Sequence, residues 1–490
     1  MEKLLINSTQ PAALAALILV LTALCFYGFM LFPVLAAGPA FLLLLASARI
    51  IIHFGLQPAF MKIIALLLPF SFEVPLIEGS MIRIPTEPLI VLAAMIVFLE
   101  ILGRPLKMLK DPLHRELMWI APLAVAFMLT IPFSEMLQVS VKFSFINLLY
   151  ILVFFVFQAR LFRNNKDLFF HMLILYSLGM LVVMLWSIYR FWHWEWNPVV
   201  VRGIFQPFFN DHTIFGAAAA FLAALWFSTI SNGTNNLSRL IWFFPGLFFT
   251  GAVLLSTSRA AFLSLFVFIL AMLMLTLKLR VRHLVLMTGG LVAVLILFHK
   301  PVTDRLQKID AISYDSNSGL AERTSSVGNI STDVSNIERL NRWISAWRMF
   351  REKPLTGFGP GTYQFAYIPY QEPLLMNRLS VTNPWEVPEG SGGTAHSEYL
   401  LILSEMGIIG LAGWLIFLGR LIFISFNGSL GHPSRMMIIA AFAAMTTYVF
   451  HAHFNNFLNT DKFAFLFWGT AAWLISIYHS KNEENLLQAD

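Results

Sequence analysis

LIWFFPGLFFTGAVLLSTSRAAFLSLFVFILAMLMLTL, residues Leu240–Leu277, is close to forty residues long and carries one charge, Arg259, at its midpoint. A helix that crosses a bilayer needs ~20 mostly apolar residues, so this stretch is long enough for two. An arginine at the bilayer centre costs ~2.5–3.5 kcal/mol on insertion scales, which favours placing Arg259 in the turn between them. Ser256-Thr257-Ser258 precede it and are residue types that cap a helix start. A helix N-terminus beside a guanidinium offers free N–H groups and a fixed positive charge to an anion. A snorkelling arginine bonded to a headgroup is the plainer alternative.

The same pattern extends over the chain. Of 490 residues, 58% are hydrophobic and only 12% charged, with a mean hydropathy of +0.72. Soluble domains carry roughly 25% charged residues, so the expected class is an all-α polytopic membrane protein. The net charge of +6 reads as topology and requires no nucleic-acid partner. Cys25 is the sole cysteine, which excludes an internal disulfide. Pro11–Phe32 reads as a retained first helix.

Apolar runs centre near residues 21, 42, 66, 93, 125, 150, 179, 220, 247, 269, 291, 409, 444 and 471, predicting about 12–14 spans. With Lys3 inside, the inner connections collect Arg49, Lys62, Arg104, Lys107, Lys110, Arg115, Arg160, Arg163, Lys166, Arg239, Lys278, Arg280, Arg282, Arg420 and Arg435. The short outer connections hold Arg83, Lys142, Arg190, Arg202, Arg259 and Lys462. This bias puts both termini in the cytoplasm. The expected organisation is a helical bundle over 1–299 (about 11 spans), a large periplasmic loop over 300–397, C-terminal spans over 398–480 and a cytoplasmic tail over 481–490. Within the loop, Asp304–Asn336 is rich in Ser, Asn, Asp and Gly and reads as irregular. Ile337–Lys353 places Leu340, Trp343, Ile344, Trp347 and Phe350 at helical spacing among arginines, an amphipathic helix suited to the membrane interface.

Three residues stand out as chemistry-bearing. Arg202 sits in an outer connection, in Arg202-Gly203-Ile204-Phe205 running to Asn210-Asp211-His212, where Asn210 or Asp211 can cap the next helix. His396 is the one histidine of the large loop beyond His299, placed where Gly-rich chain meets a helix, with Glu398 two residues on. A neutral imidazole near pH 7 can take a proton from a sugar hydroxyl. His451 and His453 do not form a metal pair, since residues i and i+2 point to different sides of a helix. The loop has no tight acidic pair to hold a divalent ion beside a diphosphate, so no metal and no cofactor are expected.

These residues fall in motifs that resemble a known family. Arg202-Gly-Ile-Phe with Asn210-Asp211-His212, and Ser256-Thr257-Ser258-Arg259-Ala260, are similar to the two arginine motifs of the bacterial O-antigen ligase and O-antigen polymerase superfamily. Arg342-Trp343, Pro354-Leu-Thr-Gly357-Phe-Gly359-Pro-Gly361, and Ala395-His396-Ser397-Glu398 through Glu405-Met-Gly407 continue the likeness in order. His453-Phe-Asn455-Asn456 with Thr460-Asp461 resembles the family's terminal region. Ser397 departs from the family's usual His-Asn-Glu. The resemblance covers roughly residues 200–470 and implies a membrane glycosyltransferase of the GT-C kind. Its donor would be a glycan on undecaprenyl diphosphate, and its acceptor a glycan or glycolipid at the periplasmic face of the inner membrane. By position, Arg202 and Arg259 would bind the diphosphate and His396 would assist the acceptor hydroxyl or help hold the donor. Arg342, Tyr363, Glu398 and Asp211 are expected to contact substrate. Ligase, polymerase and protein-glycosylating versions stay open, as does a flippase of the same lipid-linked glycan.

Overall fold

A computed structural model describes residues 33–75, 81–103, 112–229, 236–277, 334–377, 379–384, 393–428 and 435–487. The spans expected near 21 and 291, and almost all of the irregular Asp304–Asn336 segment, lie outside these residues. The protein is an all-α polytopic membrane fold. Among the described residues six helices are long and apolar enough to cross a membrane: α3 (Thr86–Gly103), α4 (Leu113–Phe133), α5 (Leu137–Asn164), α6 (Leu168–His193), α7 (His212–Thr229) and α11, whose apolar run is Glu398–Phe426. Shorter or more polar helices complete the set: α1 (Pro33–His53), α2 (Gln57–Leu67), α8 (Asn236–Ser256), α9 (Arg259–Thr276), α10 (Val334–Glu352), α12 (Arg435–His451) and α13 (Asp461–Leu487).

Two local features differ from the sequence expectation. The run near 66 forms only Gln57–Phe70, too short to cross a ~30 Å hydrocarbon core by itself. The connection after it is a small antiparallel hairpin of β1 (Phe72–Pro75) and β2 (Met81–Ile84), pairing Glu73 with Arg83. That charged cross-strand pair is bonded at 3.1 Å from Arg83 Nε to Glu73 Oε1, which helps hold the hairpin together.

α7 is the hub of the bundle. Its Gly216-Ala217-Ala218-Ala219-Ala220 stripe is buried, and α7 packs on α8, α9 and α12. Without a hydrophobic drive between helices in lipid, small residues that let backbones approach supply the contact. α11 packs on α4, α6 on α2, and α13 on the C-terminal part of α5.

At the end of the bundle that holds the hairpin, the described residues of 334–397 build a cap whose core, Ala346, Met349, Phe358, Tyr363, Tyr367 and Ala395, is joined by Leu401 of α11. The expected amphipathic helix is α10, shifted by only a few residues at its start. Its buried face is nevertheless the polar one, with Glu338, Asn341, Arg342 and Ser345 turned into the cap. Trp347 is exposed, and Leu340, Trp343, Ile344 and Phe350 are half-buried. The cap is clamped to α11 at Gly407, where φ is +61° and the helix is broken. Ile408 N donates to Pro354 O at 2.9 Å and Gly359 N to Glu405 O at 2.8 Å. A Cβ on Gly407 would stand 2.3 Å from Leu355 O, so this crossing needs glycine.

Candidate functional site

Three short connections and the cap converge at this end. α8 ends at Ser256 and α9 begins at Arg259, so the turn is two residues long. Thr257 takes a left-handed φ of +53°. Ser256 Oγ accepts from Ser258 N at 3.2 Å, and Ser258 Oγ accepts from Ala261 N at 3.4 Å. Arg259 is therefore the first residue of a capped helix. This turn abuts the first turns of α7, since a Cβ at Gly216 would stand 2.5 Å from Ser256 Oγ and 3.0 Å from Ser258 Cβ. Asp211 caps α7, its Oδ1 accepting from Thr213 N at 2.7 Å, and the same oxygen lies 3.6 Å from His212 Nδ1. Of the two expected caps, Asp211 fills the role.

Arg202 ends the 3-10 turn Pro198–Gly203 and its side chain is exposed. The loop from it to Asp211 is pinned from three sides. Arg190 Nη1 donates to Gly203 O at 2.9 Å and Gln206 O at 2.5 Å. Asn210 Nδ2 donates to Glu73 Oε2 at 2.7 Å. Lys462 Nζ donates to Phe208 O and lies 4.4 Å from the centre of the Phe209 ring. Asp461 next to it accepts from Ser71 Oγ at 3.0 Å and Thr86 Oγ1 at 2.5 Å. A buried polar set on the hairpin and on α13 thus fixes where Arg202 starts.

His396 is half-buried with a left-handed φ of +47°, a conformation costly for a side chain with a Cβ and kept only where surroundings enforce it. Trp343 Nε1 donates to His396 O at 3.1 Å. The imidazole Nδ1 lies 3.3 Å from Asn455 Oδ1, and Asn455 Nδ2 lies 3.0 Å from His451 Nε2. Burial, followed by the charges of Arg342 and Arg339, holds the imidazole well below its ordinary value, so it is neutral at pH 7.

The expected substrate contacts fall into two groups. Arg342 and Tyr363 are interior to the cap. Arg342 is 4% exposed, donates from Nε to Glu338 Oε1 at 2.7 Å and from Nη1 to Thr394 O at 3.0 Å, and carries Tyr363 OH on its own carbonyl at 2.8 Å. Both therefore bear on the site through the Thr394–His396 segment they support. Glu398 is buried at the start of α11, with Tyr448 OH donating to Oε2 at 2.5 Å and its backbone N–H donating to Ala452 O at 2.8 Å. Asp211 stays at the rim with His212.

Two residues outside that set belong to the site. Arg339 stands one turn before Trp343 on α10, and its charge acts on His396, His212 and His451 alike. The charge of Arg202 also acts on His212. Asn455 is the second. The sequence signal for it was the His453-Phe-Asn455-Asn456 stretch; the role of Arg339 was invisible among four arginines of one helix. His453, by contrast, is exposed with its ring against Tyr399, apart from buried His451.

The arrangement is that of a polytopic membrane protein with guanidinium groups and a neutral imidazole at the end of the bundle that carries the cap. Residues 244–415 match the O-Antigen ligase family (Wzy_C). The matched segment runs from α8 through Arg259 and the cap to the broken helix α11, and it supports a likeness of this part of the chain to the O-antigen ligase/polymerase superfamily. No curated protein matches the chain.

Proposed function

We propose that this protein is an O-antigen-ligase-type glycosyltransferase. It moves a preassembled glycan from an undecaprenyl-diphosphate donor onto a glycolipid acceptor of the lipid A–core kind, at the periplasmic face of a bacterial inner membrane. The observation that carries this reading is one neutral, strained histidine placed among cations that a diphosphate would require. The acceptor hydroxyl oxygen attacks the anomeric carbon, and its proton passes to the imidazole of His396. The bond from that carbon to the diphosphate oxygen breaks, and the electron pair leaves on the diphosphate. Arg202 and Arg259 at the capped start of α9 stabilise the growing negative charge with donors already in place. Guanidinium groups give two parallel N–H donors to phosphate oxygens, so the positive charge comes from the protein. Attack opposite the leaving group inverts the anomeric centre.

Purified protein given an undecaprenyl-diphosphate glycan with alternative acceptors, with and without chelator, tests the proposal. Transfer to the glycolipid, insensitive to chelator, is expected. Transfer only onto a second lipid-linked repeat unit would replace the ligase reading by the polymerase one, which shares the donor chemistry. Movement of the lipid-linked glycan across vesicles without a new glycosidic bond would overturn both in favour of a flippase.

A further inference from the structure

His396 does not meet the site alone. Behind it, Asn455 is 3% exposed and sits in the tight turn closing α12, its N–H donating to His451 O at 3.1 Å. Its side-chain amide has one ring on each side: Oδ1 at 3.3 Å from His396 Nδ1, and Nδ2 at 3.0 Å from His451 Nε2. An amide oxygen only accepts and an amide nitrogen only donates. With the amide in this orientation, His451 Nε2 must be the acceptor, and His396 Nδ1 must carry the hydrogen. A neutral imidazole with hydrogen on Nδ1 has its lone pair on Nε2.

We propose that Asn455, aligned by His451, is a positioning residue that holds His396 as the Nδ1–H tautomer, so that Nε2 is the atom that takes the acceptor proton. This rests on the transfer reading only in its last clause; the tautomer itself does not. The logic is that of a base whose orientation is set by a third group, here a neutral amide. A carboxylate at position 455 would favour the imidazolium and spoil the base at moderate pH. The other charged or titratable groups around His396 are Arg339 and Arg342 from α10, His451 from α12, and Glu398 on its own segment, whose carboxylate is turned to Tyr448. Both guanidiniums favour the neutral ring, in line with an amide partner.

The test uses the full-length protein in lipid nanodiscs with 15N-labelled histidine, His396 being assigned by the signal lost in His396→Gln. The expected spectrum is the Nδ1–H tautomer at pH 7, lost in Asn455→Ala. For transfer, Asn455→Ala is expected to lower kcat by ~10–100-fold, less than the ~10²–10⁴-fold of losing a general base outright, with the KM for donor unchanged. Asn455→Asp is expected to move the acid limb of the kcat/KM profile upward by about 1–2 pH units. His451→Gln, which keeps an acceptor for the amide, is expected to retain more activity than His451→Leu. An Nε2–H tautomer in the unaltered protein, which a reversed amide would give, overturns the inference, as does an acid limb unmoved in Asn455→Asp. An Nδ1–H tautomer together with undiminished transfer by His396→Ala would leave the positioning intact and sink the transfer reading instead.

Discussion

At the scale of single residues, side chains divide by what their polar atoms already hold. His396→Ala removes the base and Arg259→Ala a fixed charge at the capped start of α9; each is expected to lower transfer by at least ~10²-fold while the protein stays folded in the membrane. Glycan attachment in cells at near-normal levels with either change would refute the assignment. Arg259→Lys is expected to be poor as well, since a point charge does not reproduce the planar fork. Because burial and the Arg342 and Arg339 charges depress the imidazole, its neutral form persists as pH falls. The acid limb of kcat/KM should therefore lie well below pH 6.5, and a limb near 7 would contradict the electrostatics. Arg342 behaves differently. Removing it strands the Glu338 carboxylate, which is almost fully buried, at a cost of about 3–5 kcal/mol. Arg342→Ala should thus lower the thermal midpoint and expose the cap to protease, which a purely substrate-contacting arginine would not do. Arg202, Arg259 and His396 are the candidates that residue type and neighbourhood single out in the sequence. Asn455 stands in a stretch the sequence singles out as well, but its contact with His396, like the approach of Arg339, arises only when α12 and α10 come near from distant parts of the chain.

At the scale of elements, hydropathy located the helices and missed what breaks or shortens them. A continuous apolar run around 409 gives no warning that Gly407 interrupts α11. The cause is the Pro354–Gly361 turn chain, which seats itself against residues 404–409 and takes over their backbone groups. Gly407→Ala puts a Cβ at φ +61° and 2.3 Å from Leu355 O. It is expected to cost roughly 1–3 kcal/mol in backbone strain, with more from the contact. The readout is lost cap protection, seen as faster proteolysis between 334 and 397, with α4–α7 still resistant. If Gly407→Ala were as stable as the parent, the break would be incidental and the cap held elsewhere. The apolar stripe on α10 was read correctly as a stripe, yet the cap interior chose the opposite face. Buried Glu338 and Arg342 pair with each other, Arg342 also donates to Thr394 O, and Asn341 donates to Gln371 Oε1 and accepts from Glu372 N, so polar residues can form a cap core that pattern alone would assign to solvent.

At the scale of the whole molecule, the chemistry assigned to His396 and the arginines requires that this end face the side on which the donor is presented. Arg83, Arg190, Arg202, Arg259 and Lys462 share the cap end, whereas Arg160, Arg163 and Lys166 lie at the far end of α5. Several cations at the cap end are engaged: Arg83 by Glu73, Arg190 by loop carbonyls, Lys462 by Phe208 O and Ser71 O. Cations at the opposite end are engaged as well, Arg160 by Glu100 at 3.0 Å, so the side this end faces is read from the distribution of lysines and arginines alone. The sole cysteine makes this testable with little background. In a Cys25→Ser protein, Leu374→Cys, at a cap position 88% exposed, should react with a membrane-impermeant maleimide in cells whose outer membrane has been permeabilised. Lys166→Cys, exposed at the opposite end, should react only after the inner membrane is broken. The reverse pattern would put the cations and His396 in the cytoplasm, away from a donor presented outside, and no mutational loss of transfer could then rescue the chemistry assigned to them.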